Sequence, residues 1–282
     1  MTVLDGKSIK IEVLDELRDE VSMMEEKPNF VVIQVGNNEA SNVYIKQKHN
    51  LCDYVGYEYE HIKLDDDTDM DSMLELIDKL NNDESVNGIL VQLPLPELID
   101  ENRIVNAISP LKDVDGLTDI NNGMLFHGKD TLYSCTPYGI MELLDRYEIN
   151  VSGKNVVIVG RSDLVGKPMS VMMLNKDATV TVCHSKTKNL SEFTRNADIL
   201  VAAVGIPKFI TEDMVMDGAI VIDVGISRTE NGLCGDVDYE NVCDKCAYIT
   251  PVPGGVGPMT VAMLAKNVTK AYKLQKKNRN QM

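Results

Sequence analysis

A chain of 282 residues with 44% hydrophobic and 26% charged side chains has the make-up of a folded globular protein, long enough for one large domain or two ordinary ones. Its formal net charge of −16 disfavours general binding to nucleic acid or to an anionic membrane surface, so an anionic ligand has to be held by a local basic patch. The N-terminus lacks the apolar core of a signal peptide and no apolar run approaches roughly 18 residues, so the expectation is a cytoplasmic protein with no membrane partner.

The first half alternates strand and helix patterns. Strands are expected at 29–36 (NFVVIQVG), 57–64 (YEYEHIKL) and 86–96 (VNGILVQLPLP), with helices at about 39–54, 69–81 and 99–108. This order implies a parallel sheet with right-handed crossovers. The stretch SPLKDVDGLTDINNG reads as irregular, and TPYGIMELLDRYEI (136–149) as a helix entered through Thr136 and Pro137. A second alternating series follows, with strands at 155–160, 178–184, 197–205 and 218–225, and then a terminal helix from Thr260. The economical fold class is α/β, in two domains. Six cysteines in this setting read as reduced thiols, and the lone C-x-x-C at Cys243 and Cys246 lacks the further ligands that zinc requires, so no metal is expected.

The strand NVVIVG runs into RSDLVGKPM, a strand, tight turn and helix start in which Gly160 and Gly166 are spaced G-x5-G, a departure from G-x-G-x-x-G. Backbone N–H groups at a helix start attract anions, and glycine lets a pyrophosphate approach. In a dinucleotide fold an acid at the end of the next strand takes the ribose 2′-hydroxyl of NAD. Here that strand ends in His184, Ser185, Lys186 and Lys188, with no acid, which favours the 2′-phosphate of NADP; Arg161 could add a bidentate contact.

In GILVQLPLP, Gln92 is an amide at the exit of an apolar strand that Pro94 and Pro96 then stop. Ligands of open parallel sheets bind at such exits. In SNVYIKQKHN, Tyr44 and Lys48 share a helix face, whereas Lys46 and His49 point elsewhere. A lysine at its reference pKa of ~10.4 is almost wholly protonated at pH 7, and burial beside an orienting amide is what would make it useful for acid–base work. Asp115 is a candidate to hold a ligand with a donor array such as a pterin; Asp113 competes, and spacing does not decide between them.

Taken together, SNVYIKQK, GILVQLPLP, KDVDG, CTPYGI, VVIVGRSDLVGKPM, TVCHSKT, GAIVIDVGI and YITPVPGGVGPMTVAML resemble the methylenetetrahydrofolate dehydrogenase/methenyltetrahydrofolate cyclohydrolase family, in order and approximate spacing from about residue 3 to 275. The resemblance implies an N-terminal α/β catalytic domain (1–139 plus 262–282, the last helix returning to it) and a Rossmann-type NADP-binding domain (140–261), with a cleft between them. It implies a bifunctional enzyme that oxidises 5,10-methylenetetrahydrofolate with NADP+ and hydrolyses the methenyl product to 10-formyltetrahydrofolate, commonly as a homodimer. The catalytic residues would be Lys48, Gln92 and Tyr44. Tyr44, Gln92, Asp115, Pro253 and Gly254 would meet the folate, and Gly160, Arg161, Ser162, Gly166, His184, Ser185, Ile226 and Thr260 the NADP.

Overall fold

The computed structural model describes residues 1–230 and 232–279, in two compact units: Glu12–Tyr133 with Val261–Met282, and Met1–Ile11 with Ser134–Thr260. The chain begins with a two-residue strand, β1 (Thr2–Val3), and a helix, α1 (Gly6–Ser22).

The unit beginning at Glu12 is built on β2 (Asn29–Val35), β3 (Glu58–Leu64) and β4 (Gly88–Val91), paired in parallel in the order β3-β2-β4. The central strand carries a continuous apolar run, Phe30 to Ile33, that is fully buried, as a strand covered on both faces requires. Helices α2 (Glu39–Val55), α3 (Met70–Asn82) and α4 (Glu101–Ala107) connect and follow the strands. Asn38 caps α2 by accepting from the Ser41 N–H at 3.2 Å, and Gly56, at φ 90°, ends it with a left-handed turn. The proline-interrupted strand is shorter than its apolar run: β4 stops at Val91, just before Gln92. The stretch expected to be irregular contains α5 (Asp119–Phe126), started by Thr118, whose hydroxyl accepts from the Asn121 N–H. From Val261 onward the terminal helix (Val256–Arg279) belongs to this unit. Gln275 donates to the carbonyls of Asn87 and Leu111, and Tyr57 to that of Ala265.

The other unit carries α6 (Cys135–Arg146) and a wholly parallel six-stranded sheet. Its strands are β5 (Asn155–Val159), β6 (Thr179–Cys183), β7 (Ile199–Ala202), β8 (Ile220–Asp223) and, after an antiparallel hairpin of β9 (Ser227–Thr229) with β10 (Gly232–Cys234), β11 (Tyr248–Ile249). The order is β1-β11-β8-β7-β5-β6, with α7 (Gly166–Leu174) between β5 and β6. The first residues of the chain therefore pack here: β1 pairs with β11 through Thr2 with Tyr248 and Val3 with Ile249. Pairing over two residues between distant segments leaves no local pattern to read. The terminal helix starts at Val256, not Thr260, because a proline in the first turn (Pro258) lacks an N–H that would have no intrahelical partner anyway.

Candidate active site

Capping at Asn38 sets the start of α2, and one helical period then places Tyr44 and Lys48 on one face. Lys48 is half-buried, and its Nζ donates to Gln92 Oε1 at 2.7 Å. The other end of the amide is also used: Gln92 Nε2 donates to the Leu93 carbonyl at 2.7 Å, and the Gln92 backbone N–H continues the ladder to Ile33 O at 2.8 Å. Both polar ends of Gln92 are thus engaged, which fixes which way its oxygen faces. The Lys48 amine lies 6.0 Å from the centre of the Tyr44 ring, and Tyr44 is 56% exposed, open to a ligand. The sequence reading paired Lys48 with Gln92, and the fold brings them into direct contact.

The two aspartates of KDVDG separate cleanly. Asp113 is 1% exposed and accepts from the N–H groups of Gly116 (3.0 Å), Leu117 (3.2 Å) and Thr118 (2.8 Å) and from Asn121 Nδ2 (2.8 Å). Its oxygens are committed to building the loop. Asp115 is half-buried at the turn of that loop, and the loop is joined to β4 by a bridge between Asp113 and Ile89 and by the bond from Ile89 N–H to Lys112 O at 2.7 Å. Asp115 is thus the more exposed of the two carboxylates.

In the nucleotide unit, bare backbone shapes the edge. Gly160 ends β5 at φ 131°, and a Cβ there would stand 2.2 Å from the Ala203 carbonyl oxygen; a Cβ on Gly166 would stand 2.3 Å from Gly160 O. Neither position admits a side chain. Between them, Arg161 and Ser162 are exposed at the start of α7, and Ser162 Oγ accepts from Val165 N–H at 3.2 Å. At the end of β6 the His184 N–H donates to Thr187 Oγ1 (2.9 Å) and His184 Nδ1 accepts from Lys186 N–H (3.2 Å), a tight turn that leaves Ser185 and Lys186 exposed. The strand order reverses between β5 and β7, so the glycine turn sits at a topological switch point, where such sheets bind nucleotides. Ile226, 60% exposed after β8, comes within contact distance of a Cβ on Gly257, and Thr260 shares a 3.0 Å hydroxyl contact with Thr136. Exposed Pro253 precedes Gly254, which is at φ 119°; the Gly254 carbonyl accepts from Lys7 N–H at 3.1 Å.

One feature of this edge escaped sequence reasoning. Asp223, at the end of β8, is 3% exposed and accepts from the N–H groups of Gly225, Asp236 and Val237, while fully buried Asp236 accepts from Val204 (2.6 Å) and Gly205 (3.0 Å). The pair ties three loops together. Burial, with Asp236 adding to it, pushes the Asp223 carboxyl up to about 6 despite its backbone donors. The glycines facing them, Gly225 and Gly235, were the available signal: a Cβ on either would collide with the opposite carboxylate. The C-x-x-C holds no further ligand set among the described residues, and burial pushes the Cys246 thiol up to about 11.

With this geometry the chain matches two family models, the catalytic domain of tetrahydrofolate dehydrogenase/cyclohydrolase over residues 4–115 and its NAD(P)-binding domain over residues 134–276. Among curated relatives, the bifunctional protein FolD of Agathobacter rectalis is 53% identical over 275 residues, covering 96% of this chain and 99% of its own length. That of Campylobacter hominis is 50% identical, covering 97% and 98%. Among solved structures, the bifunctional methylenetetrahydrofolate dehydrogenase/cyclohydrolase of Campylobacter jejuni superposes with a TM-score of 0.95 at 46% identity, covering 97% of this chain and 99% of that one. The Trypanosoma brucei enzyme, solved with NADP and an inhibitor, gives 0.90 at 34% identity, covering 97% and 98%.

Proposed function

The chain belongs to the tetrahydrofolate dehydrogenase/cyclohydrolase family, and we propose that it is bifunctional, oxidising 5,10-methylenetetrahydrofolate to 5,10-methenyltetrahydrofolate with NADP+ and hydrolysing that product to 10-formyltetrahydrofolate. The observation that carries the second activity is the 2.7 Å bond from Lys48 to Gln92. Hydrolysis adds water to the methenyl carbon, breaks its bond to N5 and releases one proton overall. Lys48, as the neutral amine, takes a proton from the attacking water and as the ammonium returns one to N5. Gln92 Oε1 takes one amine hydrogen and fixes where the amine sits, and the Tyr44 ring and hydroxyl lie against the folate.

Asp115 holds the amino and ring N–H groups of the pterin by charge-assisted hydrogen bonds. We assign the folate to the unit Glu12–Tyr133 with Val261–Met282, and NADP to Met1–Ile11 with Ser134–Thr260. The glycine cradle and the acid-free end of β6 suit NADP: Gly160 and Gly166 admit the pyrophosphate, Arg161, Ser162, His184 and Ser185 hold phosphate, and Ile226 and Thr260 face the rest. When bound, NADP+ supplies the hydride acceptor.

The same reading makes the protein a cytoplasmic homodimer. The homodimer is supported by β3, which among the described residues pairs in its sheet with β2 alone and leaves an edge for a second copy. Light scattering of the purified protein should give twice the monomer mass.

Purified protein mixed with methylenetetrahydrofolate and either NADP+ or NAD+, with reduced cofactor and methenyl absorbance followed separately, tests the function. NADPH formation with little methenyl build-up is expected. Persistent methenyl would remove the hydrolase, and no reduction with either cofactor would remove the whole assignment.

A further inference from the structure

We infer that Asn267, on the terminal helix, is a positioning residue that aims Asp115 at the folate; this rests on the reading of Asp115 as the folate-holding carboxylate. Asn267 is fully buried, and an amide in such a place is destabilising unless it is paired. Its Nδ2 donates to two carbonyls, Val114 O and Tyr133 O, each at 2.8 Å. Val114 O belongs to the peptide unit that ends at the Asp115 nitrogen, so Asn267 holds the plane on which Asp115 hangs. The plane on the other side of Asp115 is held independently, since the Gly116 N–H donates to Asp113 Oδ1 at 3.0 Å. Val114 is itself fully buried, its side chain lying in the space that a Cβ on Gly88 would take.

Asp115 therefore sits between two locked peptide planes, one set by a neighbour in its own loop and one by a side chain more than a hundred residues away in sequence. Among the described residues, two buried amides lie on this helix: Gln275 holds the carbonyls of Asn87 and Leu111, whereas Asn267, among Met263, Leu264 and Val268, holds the carbonyl next to Asp115 itself. A site that must present a carboxylate to a planar donor array needs its backbone fixed, because a small misplacement is costly.

The test is a double-mutant cycle of Asn267→Ala and Asp115→Ala in the full chain, reading folate KM, NADP+ KM, kcat and thermal midpoint. Asn267→Ser, which keeps one donor, runs alongside. The expected result for Asn267→Ala is a rise in folate KM of about tenfold with NADP+ KM within about twofold. Asn267→Ser should fall between it and the parent, and the double variant should be no worse in folate KM than Asp115→Ala alone. If the two effects multiply, or if NADP+ KM rises in step, Asn267 is merely structural and the inference is overturned. Should Asn267→Ala fail to fold, the same comparison is made with Asn267→Ser. If Asp115→Ala leaves folate KM unchanged, the reading of Asp115 has failed; if it raises KM while neither Asn267 variant does, only the Asn267 inference has.

Discussion

In the unit that carries Lys48, the site is held by side chains: an amine on an amide, a carboxylate on a locked loop, a tyrosine on a helix face. In the nucleotide unit, the corresponding edge is made by leaving side chains out, at Gly160, Gly166, Gly225 and Gly254, with two buried carboxylates bracing the loops between. Proton transfer needs a group of the right basicity at one point, whereas a pyrophosphate needs many N–H groups and room. The two units should therefore break differently. One loses function when atoms are removed and the other when atoms are added.

The sharpest break is Lys48→Met, which keeps the helix and the approximate volume but removes the amine. Methenyl hydrolysis should fall by about a thousandfold, while methylenetetrahydrofolate oxidation stays within about tenfold of the parent. Hydrolysis measured directly on methenyl substrate checks it, and a full hydrolytic rate would falsify the role given to Lys48.

The bracing carboxylates act on stability. Asp223 has its carboxyl raised from 3.8 to about 6 by burial, so between those values the folded chain binds more protons than the unfolded one, and stability falls as pH rises from about 4 to about 6. A shift of that size corresponds to about 3 kcal/mol, present in full below the unfolded pKa and lost above the folded one. Carboxylates with lowered values, such as Asp69 and Asp83, slope the other way, so the informative curve is the difference between the parent and Asp223→Asn. Denaturant midpoints across pH 4 to 7 should show the parent losing stability relative to Asp223→Asn as pH rises. A flat difference would mean the proton is not taken up at Asp223.

Adding one carbon to the other unit tests the converse. Gly160→Ala places a Cβ 2.2 Å from the Ala203 carbonyl oxygen at a φ of 131°, so the turn must move. NADPH affinity, followed by fluorescence titration, should drop about a hundredfold, with hydrolysis of methenyl substrate within about twofold. Equal loss of both activities would mean that the two sites are not separable in this way.

How far these features could be read from sequence follows from how local they are. The buried strands are legible because a strand covered on both faces is an apolar run, and the Lys48 face because a helix repeats every few residues. Gln92 stood out as a polar residue in such a run. The choice between Asp113 and Asp115 was not legible, since two aspartates two residues apart differ only in which N–H groups the folded loop points at them. Helix α5 was hidden by a polar, glycine-containing sequence that its Thr118 cap nonetheless starts. Asp223 and Asp236 lie in segments distant in sequence, and an aspartate at a strand end ordinarily faces water. Nothing local announces that these two are buried together.

The smallest effect expected concerns the 2′-phosphate. The end of β6 presents Ser185 and Lys186 to solvent in a turn held by His184 and Thr187, where an NAD-binding sheet would place an acid. Ser185→Asp adds that acid without touching the glycine turn. Its charge repels a 2′-phosphate and can accept from a 2′-hydroxyl, so NADP+ KM should rise by about tenfold and NAD+ KM should fall, with kcat for the better cofactor little changed. Because Ser185 is exposed and makes no core contact, thermal stability should stay where it is. Steady-state kinetics with each cofactor separates the outcomes. A shifted ratio places the cofactor choice in the side chains of one turn, the single point at which the nucleotide unit would behave like its neighbour. An unshifted ratio would place the choice in other groups, with Arg161 at the glycine turn and Lys186 beside Ser185 as the cations to test next.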